Sequence, residues 1–576
     1  MTEAVSTPAA QKRAVSIATA LGFACGLPYS LLVGSVGVWL TNAGAGFSTI
    51  GALSWIGLFY AFKFIWSPAF DWLVPPFANT IGRRRAWMVL CQLVIAVCLF
   101  GMTLFNPLVS LTTFALFAVV AAFASASQDI VVDAWRIETA QDGEQLDRIT
   151  VQYQLGYRLA AIMGGAVALL LADIWATDIN PAAGWPTIWT IMAVLMACAV
   201  FASLAAPEPL LAPKPESAAL QDVEARKLRR AAVWPVALGW LVSGVALIGF
   251  MFYTLADPSL NAAAFRDAAT PWILLVTIGL PLAISFWLAG KPGALEGGGG
   301  SKALADVLFE RVLAPLADIV RRYWVWAIPI LALAMTYRIA DSIWGSFANP
   351  FYLTILGHSN SDVAVASKMV GVFATLGGIA LGGLALAWIG RMPSLILGGL
   401  IAAGTNLLYA DLAHGGGGTQ AFLDATGLGL LFSMLLNGFV GAVQATGATI
   451  FDGVTLGDGL TRLTSVILME NLAGGFASAV HIAWLSSIVN KNYAAVQYAL
   501  LSSLAMLIGV IFRPRIGSFV DAVKDAGLPA QADRFAEVFV FAAWIGLVAV
   551  ALAALEWWRQ SRAAAAAPPE TASSSA

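Results

Sequence analysis

The stretch Ser125-Ala126-Ser127-Gln128-Asp129-Ile130-Val131-Val132-Asp133-Ala134-Trp135-Arg136 decides how the whole chain is read. It closes an apolar run that begins near Leu111 and is long enough to enter a bilayer. Asp129, Asp133 and Arg136 are spaced i, i+4 and i+7, so a helix places all three on one face. A carboxylate in hydrocarbon is costly unless it is paired, protonated or facing water. The face that carries these groups is therefore expected to point into a helix bundle or an aqueous cavity.

The composition agrees with a membrane setting. Of 576 residues, 59% are hydrophobic and 11% charged, against about 25% charged in soluble domains. The mean hydropathy is +0.81. The 31 basic and 33 acidic residues nearly balance, which gives no indication of a nucleic-acid partner. Cys25, Cys91, Cys98 and Cys198 all fall in apolar segments without metal-ligand spacing, so no disulfide, metal site or cofactor is expected. Lys12 and Arg13 precede an apolar run of about 27 residues, longer than the core of a cleavable signal.

Apolar segments at 14–40, 47–70, 86–106, 110–136, 150–174, 187–206, 231–254, 270–290, 323–347, 363–389, 392–412, 463–489, 494–520 and 534–558 make about 14 spans. The fold class expected is an all-α integral membrane protein. Arg83 to Arg85, Arg148, Arg226 to Arg230, the run Lys302 to Arg322, Arg391, Arg559 and Arg562 fall on one side. The loops near 254–269, 348–362 and 413–422 carry little positive charge beyond Arg266. The positive-inside rule then puts both termini in the cytoplasm.

The spacing of the spans predicts two six-helix halves, 1–206 and 323–560, with a transmembrane pair at 231–290 inserted between them. A cytoplasmic linker at 207–230 precedes the pair, and a second at 291–322 follows it with the glycine run 297–300. The second linker reads as an amphipathic helix lying on the cytoplasmic surface, with Leu304, Val307, Leu308, Val312 and Leu316 on one face. An extra segment at about 413–460 includes residues 423–452, apolar enough to enter the membrane. An added crossing would invert everything after it, against Lys491 and the C-terminal arginines, so the segment reads as a re-entrant or surface-lying insert. The Ala/Pro/Ser-rich tail, 561–576, is expected to be disordered.

Ionisable groups within spans are functional candidates, the alternative being ion pairs that only fix packing. Proton-carrying candidates are Asp129, Asp133 and Glu470; substrate-binding candidates are Lys63, Gln128, Tyr157, Arg158, Arg338, Asp341, Lys368 and Asn471. Asp71, Arg83, Arg84, Arg85 and Arg136 read as a cytoplasmic gate, with Asp133 and Arg136 equally readable as gate or cavity groups. Helix rise puts Lys63, Asp129 and Arg158 about 10–12 Å inside the cytoplasmic surface, as one charged layer in which Asp129 faces Arg158. Arg338, Asp341, Lys368 and Glu470 fall nearer the outer half. Lys63 and Lys368 occupy the second span of each half and Asp129 and Glu470 the fourth, a correspondence suited to a two-halved secondary transporter. Tyr29, Trp55, Trp135, Tyr157 and Trp344 offer stacking faces. The inserted pair has no ionisable residue in its apolar cores, and so is expected to pack outside the bundle. No Walker loop is present and three histidines assemble no Ser–His–Asp set, which disfavours an ATP-driven pump and a hydrolase.

Asp71 followed by Gly82-Arg83-Arg84-Arg85 resembles the loop motif of the major facilitator superfamily, stretched by Phe77-Ala78-Asn79-Thr80. The segments GFACGLP (22–28), FKFIWSP (62–68), SASQDIVVDAWR (125–136), LGYRLA (155–160), APLADIVRRYWVWA (314–327), YRIADS (337–342), SKMVGVFATLGG (367–378) and the region 470–504 resemble, in order, the AmpG muropeptide permeases of that superfamily. The resemblance implies a monomeric, multi-pass protein of the bacterial inner membrane. It implies proton-driven import of 1,6-anhydro-muropeptides from the periplasm for peptidoglycan recycling, which feeds β-lactamase induction in some bacteria. Acetyl-coenzyme A transporters share the wider family, so an acetyl-CoA or other anionic solute transporter is the alternative. A non-transporting receptor or scaffold is a third, disfavoured by the matched charges of the two halves.

Overall fold

In the computed structural model the described residues are 8–44, 56–175, 177, 180, 182–209, 223–256, 262–291, 303–445, 454 and 457–566. Among them the chain is helical and contains no strand. Eleven helices are long and apolar enough to cross a membrane, or up to twelve if a bent pair counts as one. The three other expected spans, 47–70, 150–174 and 494–520, are helical where described. The first is described only from Ile56 and breaks at Lys63, and the second carries Arg158 and a π-helical turn at Ile162–Val167. The third, Ala494–Asp521, has side chains at 507–514 that lie outside the described ones.

The first set of membrane helices is α1 (Pro8–Tyr29, continued by a π turn and Val36–Asn42), α2 (Ile56–Phe62), α3 (Arg83–Thr103), α4 (Leu111–Thr139), α5 (Gly143–Ala161) and α6 (Trp185–Ala205). Two peripheral helices follow, α7 (Val223–Ala256) and α8 (Ala262–Leu274, extended to Ala289 through a π turn). A connecting segment ends in α9 (Ala314–Tyr323). The last set contains α10 (Ala327–Thr336), α11 (Gly371–Ile389) and α12 (Arg391–Ala413). It continues with the insert α13 (Gly417–Thr426) and α14 (Leu428–Gln444), then α15 (Asp458–Ser487), α16 (Ala494–Asp521) and α17 (Leu528–Ala566).

The packing repeats. In the first set α1 packs on α5, α2 on α4, and α3 on both α4 and α6. In the last set α10 packs on α16, α11 on α15, and α12 on both α15 and α17. The contacts between sets follow the same symmetry, with α2 on α16 answered by α5 on α11, and α4 on α16 by α5 on α15. Even the turns into the third helix of each set agree. Gly82 (φ 96°) leads into Arg83 and Gly390 (φ 79°) into Arg391, a backbone conformation that glycine adopts without a side-chain clash.

Small residues set the closest approaches. A Cβ built on Gly156 of α5 would be driven into the Thr19 carbonyl of α1, and one on Gly22 into the Tyr153 carbonyl. In the last set Gly378 and Gly475 pack in the same way against Leu472 and Thr375.

Two sequence expectations change, and the insert has the bend of a re-entrant segment or a broken span. The connecting segment does not present the face Leu304, Val307, Leu308, Val312 and Leu316: Leu304 is 60% exposed, while Phe309, Leu313 and Val320 are buried with Val312 and Leu316. A π turn at Phe309–Leu313 rotates the helix face, and the segment packs into the protein against α7, α8 and α16. The insert is a helix pair, Gly417–Thr426 and Leu428–Ala442, meeting at 93°, with Gly427 (φ 70°) at the corner. It buries Leu436 and Val440 against Val365 and exposes Leu430 and Met434. Finally, α17 continues through Ala566, so residues 561–566 of the expected tail are helical, and 567–576 lie outside the described residues.

The peripheral pair turns Val233, Val236 and Trp240 inward, with the Trp240 ring against Phe64 at 5.8 Å, and leaves Leu238, Leu241 and Val245 exposed.

The α1–α5 seam gives a direct test. Gly156→Val should destabilise the protein by about 1–3 kcal/mol or more through overpacking, read as a lower melting temperature in detergent. Gly165→Ala, whose Cβ meets nothing within 4 Å, should leave that temperature unchanged.

Candidate functional site

Three polar groups interrupt the apolar bundle, and each is assembled at a break in a helix or at the end of one. The first forms around Lys63. Pro68 cannot donate to the Phe64 carbonyl, and the Ser67 hydroxyl donates to it instead at 2.9 Å. The span therefore passes through a 3₁₀ turn, Lys63–Ile65, between two α-helical pieces. That break delivers the Lys63 ammonium to the acidic face of α4, 3.7 Å from Asp129 Oδ2 and 3.4 Å from Asp133 Oδ2.

Asp133 is held a second time, by Arg136 Nη2 at 3.2 Å. Arg136 is fully buried; its Nη1 donates to Thr150 Oγ1 at 2.6 Å and to Ser486 Oγ of α15 at 3.0 Å. Its guanidinium also lies over the rings of Tyr153 (5.3 Å) and Tyr498 of α16 (4.9 Å). Two cations thus balance two carboxylates, but unevenly. Asp133 has both cations, whereas Asp129 has Lys63 alone and its buried Oδ1 has no hydrogen-bond partner. Gln128, beside it, donates to Cys25 Sγ at 3.6 Å.

The second group lies where α5 meets the last set of helices. Arg158 does not face Asp129 as the sequence suggested. Its charged neighbours are Arg338 and Glu470, with Tyr29 and Tyr157 alongside, and its Nε is buried without a hydrogen-bond partner. Arg338 sits in a turn between Thr336 and Ile339, where the helix is interrupted, and donates to the Gly474 carbonyl at 2.9 Å. Glu470 accepts from Asn471 Nδ2 at 2.8 Å, and Thr375 Oγ1 donates to Asn471 Oδ1 at 3.0 Å. The side chains of Asp341 and Lys368 lie outside the described ones.

A row of tyrosines joins the two groups. Tyr60 meets Tyr29 edge-on at 4.8 Å between centroids, Tyr29 lies 6.1 Å from Tyr157, and Tyr157 lies 6.2 Å from Tyr153. Asp129 is within electrostatic reach of Tyr60 and Tyr157. Of the other expected rings, Trp135 is buried and donates to the Pro207 carbonyl, Trp344 is buried and donates to Asn406, and Trp55 lies outside the described residues.

The third group is at the arginine-bearing end. Arg84 chelates Glu138, with Nε 2.8 Å from Oε2 and Nη2 bonded to Oε1, and reaches Asp71 Oδ1 at 2.8 Å. Arg83 pairs with Asp71 at 3.4 Å and Arg85 with Glu208 at 3.6 Å. Glu208 also accepts from the backbone N–H of Arg84, satisfying a donor at the start of α3. Arg311 of the connecting segment donates to the Asp71 carbonyl at 3.1 Å.

At this same end the two helix sets are bonded directly. Besides Arg136 and Ser486, Arg391 pairs with Asp147 at 2.8 Å and Lys491 donates to the Ala140 carbonyl. Sequence reasoning missed Glu138, Glu208, Asp147, Ser486 and Tyr498. Glu138 alone left a usable signal, as an acid near the end of an apolar span, although helical periodicity puts it on the face of α4 opposite Asp129 and Arg136.

The fold is that of a multi-pass helical membrane protein. The human organic anion transporter MFSD10 superposes with a TM-score of 0.52 at 12% identity, over 94% of this chain and 100% of that one. The family described as Acetyl-coenzyme A transporter 1 matches residues 15–162. The sequence of this protein is similar to those of proteins named Anhydromuropeptide permease and Putative transporter AmpG. It is 28% identical to the Anhydromuropeptide permease of Escherichia coli (strain K12) over 502 residues, 87% of this chain and 73% of that relative. It is 23% identical to Putative transporter AmpG 4 of Rickettsia conorii over 84% of this chain and 85% of the relative.

The Arg84–Glu138 pair predicts an asymmetric mutational response. Arg84→Ala leaves a buried carboxylate uncompensated and should cost roughly 3–5 kcal/mol, seen as a large fall in melting temperature. Replacing both partners, Arg84→Met with Glu138→Leu, should restore much of that loss.

Proposed function

We propose that this protein imports 1,6-anhydro-muropeptides across the bacterial inner membrane, from periplasm to cytoplasm, coupled to proton entry. Its relationship to the named permeases over 87% of the chain is the observation that carries this reading. The chemistry of the interior supports it. A muropeptide presents apolar sugar faces, hydroxyls and peptide carboxylates, and the tyrosine row beside Arg158 and Arg338 offers rings, hydroxyls and positive charge. In this reading residues 1–206 and 323–560 are the two moving halves, and the pair at 231–290 stays peripheral. The arginine-bearing end is cytoplasmic, as the positive-inside rule requires, with both termini on that side.

Asp129 is the proton carrier we favour over Asp133 and Glu470. Asp133 is compensated by two cations, while Asp129 shares one and keeps a buried oxygen unbonded. In a low-dielectric site the less compensated carboxylate is the easier one to neutralise. Lys63 is then less a substrate contact than the group that holds Asp129 ionised until the proton arrives. Arg83, Arg84, Arg85, Asp71 and Arg136 act as the gate.

Export or import of acetyl-CoA is the second reading, favoured by the family match at residues 15–162. Uptake of labelled anhydro-muropeptide into proteoliposomes separates the two. Accumulation driven by an inward proton gradient, with no competition from acetyl-CoA, is the expected result. Competition by acetyl-CoA without muropeptide uptake would establish the second reading.

Asp129→Asn keeps the shape of the side chain and removes its titration. The variant should lose gradient-driven accumulation while retaining downhill exchange of labelled for unlabelled substrate. Undiminished accumulation by this variant would move the proton path to another acid.

A further inference from the structure

The peripheral helix α7 does not follow the first helix set along its whole length. Trp240 meets Phe64 of the broken second span at 5.8 Å between ring centroids. One turn further on, at Gly244, a Cβ would have only the Ile65 side chain near it, at 3.8 Å, and at Gly249 a Cβ would meet nothing within 4 Å. Here the two helices stand apart around a cavity of about 180 Å³. Phe59, Phe62, Ile65 and Trp66 form one wall and Phe123 of α4 a second, while Gly244, Leu247 and Ile248 of α7 close the third. Three of the rings pack on one another, Phe59 on Trp66 at 6.0 Å, Trp66 on Phe123 at 5.2 Å and Phe59 on Phe123 at 6.1 Å.

The break that places Lys63 also shapes this cavity. Phe62, Ile65 and Trp66 line it, whereas Lys63 turns to Asp129 and Asp133. The one polar side-chain atom in the lining, Trp66 Nε1, donates to Ser127 Oγ at 3.2 Å. A buried water needs roughly two to four polar partners, and this lining offers none to spare. An apolar void left empty forfeits the dispersion contacts of its walls. Phe123 is 44% exposed and Ile248 51% exposed, and both belong to helices long and apolar enough to cross a membrane, so the opening faces hydrocarbon.

We propose that this cavity binds a segment of a phospholipid acyl chain, held between α7 and the second span, and that the chain supports from behind the turn that carries Lys63. The lining selects a flexible apolar chain, because it holds no charged side chain and no free donor for a headgroup or a polar ligand. The depth suits a chain as well. Lys63 lies about 10–12 Å inside the arginine-bearing surface by helix rise, within the half of a hydrocarbon core about 30 Å thick that one leaflet fills. A filled cavity resists displacement of Phe62 and Ile65, and so keeps the Lys63 ammonium against the carboxylates of α4. The peripheral helix acquires a role without entering the transport path, as the outer wall of a lipid site.

The test places the full chain in bilayer nanodiscs whose phospholipid carries a photoactivatable diazirine in its acyl chain, and locates the adducts by peptide mapping. Adducts should concentrate on residues 58–66 and 244–248, above the level on Leu93, Val97 and Phe100, an exposed apolar face of α3. Gly244→Leu fills the cavity from α7, where the added Cβ makes only an ordinary contact with Ile65. It should bring the adducts on 58–66 down to the level of α3. Should that variant fail to fold, Phe123→Ala enlarges the same space from its exposed side and should raise the yield on 58–66. In detergent, added phospholipid should raise the melting temperature of the unmodified protein more than that of Gly244→Leu. Adducts spread evenly over the exposed helix faces, or a yield on 58–66 that neither variant changes, overturn the lipid site. An equal rise in melting temperature in both proteins overturns the support of the Lys63 turn.

Discussion

The cost of placing charge in hydrocarbon organises this molecule. Lys63 can be inside the membrane only because α4 offers it Asp129 and Asp133 one helical turn apart, and those acids can be there only because Lys63 and Arg136 face them. The arrangement requires a broken second span, a polar face on the fourth and tight contact between the two. Each is present: the 3₁₀ turn at Lys63, the i, i+4 aspartates, and the packing of α2 on α4. The group is also incomplete within the first helix set, since Ser486 and Tyr498 of the last set complete the surroundings of Arg136. Charge compensation at Asp133 is therefore tied to contact between the two helix sets.

The arginine-bearing end and the interior use the same residue types for different purposes. At that end every arginine of the run has an acid: Arg83 and Arg84 share Asp71, Arg84 holds Glu138, and Arg85 meets Glu208. Such networks rigidify, and this one ties the stretched loop to the start of α3. Arg158 and Arg338 both lie next to helix irregularities, a π turn in one case and an interrupted helix in the other. Irregular backbone inside a membrane is tolerated where it faces protein or a cavity. The arginine–acid network holds that end together, and the less compensated Asp129 is the charge that the proposed cycle uses.

The two helix sets repeat the same pairings, and the departures from the repeat lie at its margins. The pair α7 and α8 attaches through Val233, Val236 and Trp240 while exposing apolar residues outward. The insert α13 and α14 falls between the third and fourth helices of the last set and turns at Gly427. Neither addition disturbs the corresponding contacts of α5 with α11 and of α2 with α16. The connecting segment is bonded more widely, to α7 through Arg230 and Asp306, to the loop of the first set through Arg311, and to α16 through Asp318 and Gln497.

What the sequence determined by itself was local. Hydropathy fixed the membrane class and most spans, the positive charges marked one end, and helical periodicity put Asp129, Asp133 and Arg136 on one face. Periodicity also misled where it was broken: the π turn at Phe309–Leu313 moved Leu304 outward and brought Phe309 and Leu313 in. The choice of partners was decided only by the tertiary structure. Depth along a helix grouped Arg158 with Asp129, but depth carries no information on rotation about the axis. The π turn beyond Ala161 and the glycine contacts of α5 with α1 belong to the packing that turns Arg158 toward Arg338 and Glu470, while Lys63 takes the aspartates. Glu138, Asp147 and Tyr498 gained their partners in the same way, across distances in sequence that no local pattern spans. A residue's face follows from its neighbours in the chain, whereas its partner follows from how closely distant helices approach.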